Sequence, residues 1–424
     1  MFVDKFLAFY TARLMRRYLT FGKDSLTSPP QPDKNRSYLL YIHIPFCEEL
    51  CPYCSFVKVK FEPSLASRYF DALKKEIEIY KALGYCFDSI YIGGGTPTIM
   101  PDRLVRIIEF VKSSWQIKQI SVETNPDHLT DEILQTLKDV GINRLSVGVQ
   151  SFNNEILESI QRLGKCGTGE EIKEKLSSVV GMFDTINIDM IFNFPNQTGR
   201  MLAADIEIIK EVKADQITYY PLIVSNSKKN EITETCGKIN YKKEKRLYQL
   251  LVEQLTDIYN QESIWCFTNK KGLIDEYIVD HDEYAGVGPG SWGYVNGIMC
   301  SNTFSIQEYI NMMQEDRSPV IGSRNFSYLE RMRYSFLLKL LDGNLDLSYM
   351  KKKYGKLFWL YLGRELLFLY IARAITFRDN TIMLTPRGRY YWVILMRTLF
   401  SVVGDYRDMR ASLDAPAGIS SELR

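Results

Sequence analysis

Three cysteines, Cys47, Cys51 and Cys54, fall within eight residues at spacings of four and then three. Thiolates are soft ligands that suit iron–sulfur clusters, zinc or copper(I). A cuboidal cluster and a closed structural zinc site each ordinarily take four protein ligands. Only three are local here, and no second C-x2-C occurs in the chain. The site therefore borrows a distant fourth ligand or leaves one metal position open, and an open position is what a reactive site needs. A zinc knot is disfavoured by the ligand count, and mere packing by the clustering.

Other chemistry-bearing residues recur at regular intervals. Gly93-Gly94-Gly95-Thr96-Pro97 lets backbone approach a ligand with amides free to donate. Glu123 and Asp189 offer carboxylates to hydroxyls or an ammonium, and Gln150 offers both donor and acceptor. The elements that must position them are strands: the pattern predicts Tyr38–Ile44, Ser89–Ile92, Gln119–Glu123, Arg144–Val147, Thr185–Met190 and Gln216–Tyr220. Helical patterns lie between them around 64–83, 102–113, 130–140, 153–180 and 199–213. Strands alternating with helices imply parallel βαβ units. Each singled-out residue then falls at or just beyond a strand's carboxyl end, the edge that carries sites in such sheets.

Tyr41 to Phe56, with His43-Ile44-Pro45-Phe46 running into the cysteines, resembles the cluster loop of radical S-adenosylmethionine (SAM) enzymes. It is most similar to the group holding oxygen-independent coproporphyrinogen III oxidase, a heme chaperone and anaerobic heme-degrading methylases. The resemblance implies a [4Fe-4S] cluster on Cys47, Cys51 and Cys54, whose fourth iron binds SAM. It assigns SAM binding to Tyr41, Tyr53, Gly94, Gly95, Thr96, Glu123, Gln150, Arg162 and Asp189, with a backbone contact from Gly290. It implies an α/β fold, a partial (β/α)6 barrel with a small C-terminal helical, winged-helix-like domain. It further implies a tetrapyrrole substrate, heme or a porphyrinogen, and an electron donor such as flavodoxin or ferredoxin. The reading is reductive cleavage of SAM to a 5′-deoxyadenosyl radical that acts on the tetrapyrrole. The alternative is a chaperone that keeps cluster and SAM but delivers heme without turnover. Two departures bear on the choice. Phe56 stands where the decarboxylating oxidase has a further cysteine, and Arg162-Leu163-Gly164 stands where the heme chaperone has Arg-x-His. The chaperone's downstream His-Asn-x-x-Tyr-Trp is absent, while the segment from Gly286 to Thr303 looks more like the heme-degrading methylases. His281 is the remaining candidate to reach a heme iron; His128 reads as a helix cap.

The chain has 424 residues, 46% of them hydrophobic and 25% charged, as a globular protein does. A net charge of +2 gives no argument for nucleic acid. No apolar run is long enough to span a membrane. Reduced thiols fit a cytoplasmic setting, with Cys86, Cys166, Cys236, Cys266 and Cys300 expected as packed thiols. Residues 1–36 read as an amphipathic helix followed by a Pro-rich linker. Residues 37–221 read as the radical SAM core, and 222–326 as an extension closing the barrel. Within it, Tyr241–Gln261 is a predicted helix, and 263–304 is glycine-rich and aromatic, with Trp265, Tyr277, Tyr284, Trp292 and Tyr294; faces such as Trp265 and Trp292 suit a flat ligand, or equally fill the core under a closing segment. Residues 327–408 read as the winged-helix-like domain, with a hairpin reaching Leu384–Arg389, and 409–424 as a disordered tail.

Overall fold

The computed structural model describes residues 2–21, 26–270 and 281–413. Tyr277 and most of the C-terminal tail lie outside them. Strand β1 (Tyr38–Ile44) is buried at all seven positions, as its apolar run requires of a strand covered on both faces. It leads into β2 (Phe46–Cys47), which pairs parallel with β3 (Val59–Lys60). The core continues through β4 (Phe87–Gly94), β5 (Gln119–Thr124), β6 (Arg144–Gln150), β7 (Thr185–Phe192) and β8 (Gln216–Pro221). These stand side by side in chain order, β1-β4-β5-β6-β7-β8, all parallel.

The sheet does not close. It widens to twelve strands through β9 (Asn260–Gln261), β10 (Cys266–Thr268), β11 (Tyr284–Val287), β12 (Trp292–Val295), β13 (Ile298–Asn302) and β14 (Val320–Asn325). β10 lies antiparallel on β8, and β11 lies parallel on β1 with β12 to β14 beyond it as a meander. The segment 263–304, expected to close one side, instead extends both. The reason is that each edge of an open sheet presents unpaired amides and carbonyls, and an added strand satisfies them. Trp265 is correspondingly core: it is fully buried and packs on Tyr220 and Phe400, with no face left for a ligand.

The connecting helices start on recognisable signals. Pro63 and Pro101 open Pro63–Ala82 and Pro101–Ser114, and Thr130 caps Asp131–Asp139. The single helix expected over 153–180 is three: Asn154–Ser159, Leu163–Cys166 and Gly169–Val179. Gln161 sits at φ 58 and Gly167 at φ 94, left-handed conformations that end helices. A Cβ on Gly169 would lie 1.8 Å from the Phe152 carbonyl oxygen, so the chain there needs glycine. Likewise Tyr241–Leu255 ends six residues before Gln261, which belongs to β9.

Helices Tyr328–Lys339, Leu347–Tyr354, Phe358–Tyr361 and Gly363–Ile371 surround a three-stranded sheet in the C-terminal region. Its strands are β15 (Asn344–Asp346), β16 (Ile375–Arg378) and β17 (Thr381–Leu384), in the order β15-β17-β16. The hairpin is β16–β17. It stops at Leu384, because Pro386 opens the last helix, Pro386–Leu413. That helix runs past residue 409, where a tail was expected. It packs along the first helix, Phe2–Tyr18, and then crosses the carboxyl edge of the sheet. There the Ser401 hydroxyl donates to the Val224 carbonyl (2.8 Å), and Asp405 accepts from the backbone and side-chain amides of Asn226. Four of the five scattered cysteines are buried as expected; Cys86 is exposed, since it sits in the turn leading into β4.

Candidate functional site

The cysteine loop is pinned at both ends. The Val59 amide donates to the Pro45 carbonyl and the Phe61 amide to the Cys47 carbonyl, each at 2.8 Å. His43 holds it from beneath. Burial pushes its imidazole down to about 4, so the ring is neutral. Nε2 lies 2.8 Å from the Val57 carbonyl and must donate, leaving Nδ1 to accept from the Tyr41 hydroxyl at 2.9 Å. The three cysteines are free thiols, Cys47 buried and the other two half-buried. Burial, with Cys54 nearby, pushes the Cys47 thiol up to about 11. A thiolate there therefore calls for a cation, and a bound metal deprotonates a coordinating thiol outright. Polar donors already address the sulfurs: Thr96 Oγ1 approaches Cys47 Sγ at 3.7 Å, and an Arg162 guanidinium nitrogen approaches Cys51 Sγ at 3.8 Å.

The glycine run lies directly against this loop. A Cβ on Gly95 would meet Phe46 backbone at 2.5 Å, and one on Gly93 would meet the Glu123 carboxylate at 2.7 Å. Bare glycines thus let the strand end, the loop and the carboxylate share one small space. Glu123 Oε2 accepts from the Gly94 amide (3.0 Å) and Oε1 from the Tyr91 hydroxyl (2.9 Å). Burial and the neighbouring Asp189 push Glu123 up to about 7. Asp189 is also raised by burial, opposed by hydrogen bonds from Ser146 (2.6 Å) and Asn187 (2.9 Å). Two carboxylates that share a buried edge favour a cationic or hydroxyl-rich ligand.

Arg162 is turned inward by the helix break and is 4% exposed. It donates to Asn125 Oδ1 (3.0 Å) and to the Gly148 carbonyl (2.5 Å), and Asn125 in turn donates to Thr96 (2.8 Å). Its Nε is buried with no partner among the described residues. Gln150 sits at φ 76 where a bulge interrupts the β6–β7 pairing, and its amide folds back beside Gly148. Tyr53 is buried against Phe194. Gly288 and Gly290, both left-handed, carry the chain past His43 and Val57 at distances a side chain could not tolerate. The three cysteines, the nine residues expected to bind SAM and Gly290 thus gather at one edge. His281 does not join them. It precedes β11, at the opposite edge of the sheet, because β11 runs parallel to β1. His128 is not a cap: it is buried, with Nδ1 2.9 Å from Thr98 Oγ1. Glu48 and Asp127 converge beside it, with Lys165 lying 3.7 and 3.6 Å from them and paired with both.

The sequence reading missed two contributors. Asn193, just past β7, is fully buried at φ 71, and both polar side-chain atoms lack a partner among the described residues. Its signal was Asn-Phe-Pro-Asn-Gln directly after a strand. The other is the last helix, which brings Arg407 over the Phe56 ring at 5.4 Å and Tyr406 beside Trp292 at 5.7 Å. No local pattern marks those residues.

The radical SAM superfamily model matches residues 41–209. The heme chaperone HemW of Lactococcus lactis is 30% identical over 282 residues, 64% of this chain and 73% of that protein. The chain belongs to the radical SAM superfamily. HemW of Bacillus subtilis is 29% identical over 331 residues, 74% of this chain and 86% of its own. The anaerobilin synthase of Escherichia coli O157:H7 is 26% identical, covering 68% of this chain and 67% of that protein. The solved structure of E. coli coproporphyrinogen III oxidase (HemN) superposes with a TM-score of 0.75 over 91% of this chain and 98% of that one, at 21% identity. This radical SAM protein thus has the HemN fold, and its relatives are those the cysteine loop suggested. The superfamily implies a [4Fe-4S] cluster and SAM. The residues present fit them: three free thiols with polar donors aimed at two of the sulfurs, and glycines beside a carboxylate pair.

Proposed function

We propose that the protein holds one [4Fe-4S] cluster on Cys47, Cys51 and Cys54, binds SAM along the adjoining strand ends, and acts on a tetrapyrrole. The observation that carries the SAM assignment is the buried Glu123–Asp189 pair at one strand-end edge, with Glu123 set against the glycine run, where each carboxylate oxygen keeps a second lone pair for a ligand's ammonium or hydroxyls. When bound, the cluster supplies the electron that cleaves SAM to methionine and a 5′-deoxyadenosyl radical, with flavodoxin or ferredoxin as the donor class. The chain's own residues do the placing. Gly94, Gly95 and Thr96 bring backbone close, Glu123 and Asp189 accept from the ligand, and Arg162 supports a cluster sulfur while offering its free Nε. His43 and Tyr41 fix the loop, and Tyr53 with Gln150 lines the same edge.

For the tetrapyrrole, support comes from the relatives' names and from the mouth of the site. Trp292 and Tyr406, both half-buried, lie side by side over the buried Phe304, and the next residue, Arg407, sits over Phe56 and brings a cation suited to a propionate. The chaperone reading, heme delivered without turnover, is favoured by the HemW names and by Phe56 in place of a further cysteine. One anaerobic experiment separates the two. Reconstituted protein is reduced with SAM and either heme or coproporphyrinogen III, and products are read by mass spectrometry. 5′-Deoxyadenosine together with an altered tetrapyrrole supports the enzyme. A Soret shift on heme addition, with heme recovered unchanged, supports the chaperone. No binding of either tetrapyrrole by protein with an intact cluster refutes both, while absence of iron in that preparation refutes the cluster assignment itself.

A further inference from the structure

The C-terminal region carries an apolar face that no described residue covers. Helix Gly363–Ile371 buries Leu366 and Leu369 on one side. The opposite side, one helical turn apart, exposes Leu367 (59%), Phe368 (37%) and Ile371 (71%). The short helix before it buries only Phe358 and exposes Trp359 and Leu360, the latter at 77%. Ring contacts join these into one patch. Phe377 on β16 lies 6.1 Å from Trp359 and 6.3 Å from Tyr370, and Phe368 lies 6.0 Å from Phe6 of the first helix. A helix that is apolar on both sides ordinarily has two partners. Contiguous exposed apolar surface rimmed by polar groups marks an interaction site.

The rim identifies the partner. Residues 351–378 hold seven basic residues and one acid, a net +6 in a chain whose total is +2. The single acid, Glu365, is paired with Arg333 at 2.6 Å. Lys352, Lys356, Arg364, Arg373 and Arg378 are exposed and alternate with the apolar residues, Arg364 sharing the stripe of Leu367 and Ile371. Aromatic and aliphatic residues interleaved with lysine and arginine suit the boundary between acyl chains and anionic headgroups, where the rings bury and the cations remain in water. No helix among the described residues is long and apolar enough to cross a membrane, so the contact lies on the surface.

We propose that this face, with the exposed aromatic side of the first helix beside it, docks the protein on an anionic phospholipid surface. The test uses the full chain in flotation with phosphatidylcholine vesicles, with or without 30% phosphatidylglycerol, at low salt. The protein is expected to float with the anionic vesicles at least tenfold more than with the neutral ones, and to be released by salt. Leu367→Asp with Ile371→Asp should reduce flotation at least tenfold while leaving the circular dichroism spectrum and melting temperature unchanged. Lys356→Gln, Arg364→Gln and Arg378→Gln together should weaken anionic binding about a hundredfold, at roughly fivefold per charge removed near the surface. No flotation, or equal flotation with both vesicles, overturns the proposal. So does a dimer in sedimentation velocity that Ile371→Asp dissolves, since a second copy would then be the occupant.

Discussion

Gly95→Ala tests whether the glycine run exists for close backbone approach. The added methyl would sit 2.5 Å from the Phe46 carbonyl oxygen and 2.9 Å from the Phe46 carbonyl carbon and nitrogen, where ordinary contact begins at 3.4 Å. The two backbones must part by about 0.9 Å. Phe46 has nowhere to go: it is fully buried, with its ring set edge-on against Tyr69 and Phe61. Two hydrogen bonds cross the same gap, Gly95 amide to Ile44 carbonyl (2.7 Å) and Thr96 amide to Phe46 carbonyl (2.8 Å). Overpacking of this kind costs about 1–3 kcal/mol, and each of the two stretched bonds about 1 kcal/mol more, so the variant should lose about 3–5 kcal/mol. It should also load less iron, because Thr96 carries its hydroxyl to Cys47 from the displaced segment. Thermal melts and iron analysis after anaerobic reconstitution read both effects. Gly363→Ala, whose Cβ would meet nothing within 4 Å, is the control and should stay within about 0.5 kcal/mol of wild type. If Gly95→Ala melts with the wild type and binds full iron, the steric argument for the whole run fails.

Two further outcomes are expected. Asp189→Asn should weaken SAM binding about 10- to 100-fold, the worth of a charge-assisted hydrogen bond, with the cluster spectrum unchanged. Calorimetry under nitrogen measures this, and an unaltered affinity removes Asp189 from the site. Asp205 is buried and accepts from the Phe152 amide (2.8 Å) and Ser151 (2.9 Å), and burial pushes its carboxyl up to about 7. A folded value above the unfolded one means that folding takes up a proton. That stability is complete below about pH 4 and is lost as pH rises to about 7. Asp205→Asn should therefore flatten the fall in melting temperature across that window, gaining on the order of 1–3 kcal/mol at neutral pH. Parallel curves for variant and wild type would sink the assignment.

What the sequence made legible was local. β1 spans the residues its apolar run predicted, and the other five core strands extend their predicted spans by a few residues. The strand-end residues fall together because parallel strands point their carboxyl ends one way. What stayed hidden depends on distance along the chain. Which strands flank β1 and β8 is decided by edge amides meeting partners dozens to hundreds of residues away, so an extension rather than a closure could not be read from 263–304. Trp265 and Trp292 look alike in sequence, yet one fills the core and the other lies half-buried near the mouth. Arg162 was recognisable only by resemblance; its inward turn comes from Gln161 and the glycines after it.

The last helix gives the protein an order of assembly. The three cysteines proposed to hold the cluster are all synthesised by Cys54, but the helix that crosses their edge begins at Pro386, some 330 residues later. At about 5–20 residues per second, a growing chain spends roughly 20–70 s with its thiols made and that helix unmade. Until then the cysteine loop lacks the last helix, which in the finished chain sets Arg407 over Phe56 and Tyr406 beside Trp292. Helices Phe2–Tyr18 and Pro386–Leu413, which pack on each other, act as a latch: until the second finds the first, the carboxyl edge of the sheet remains uncovered on that side.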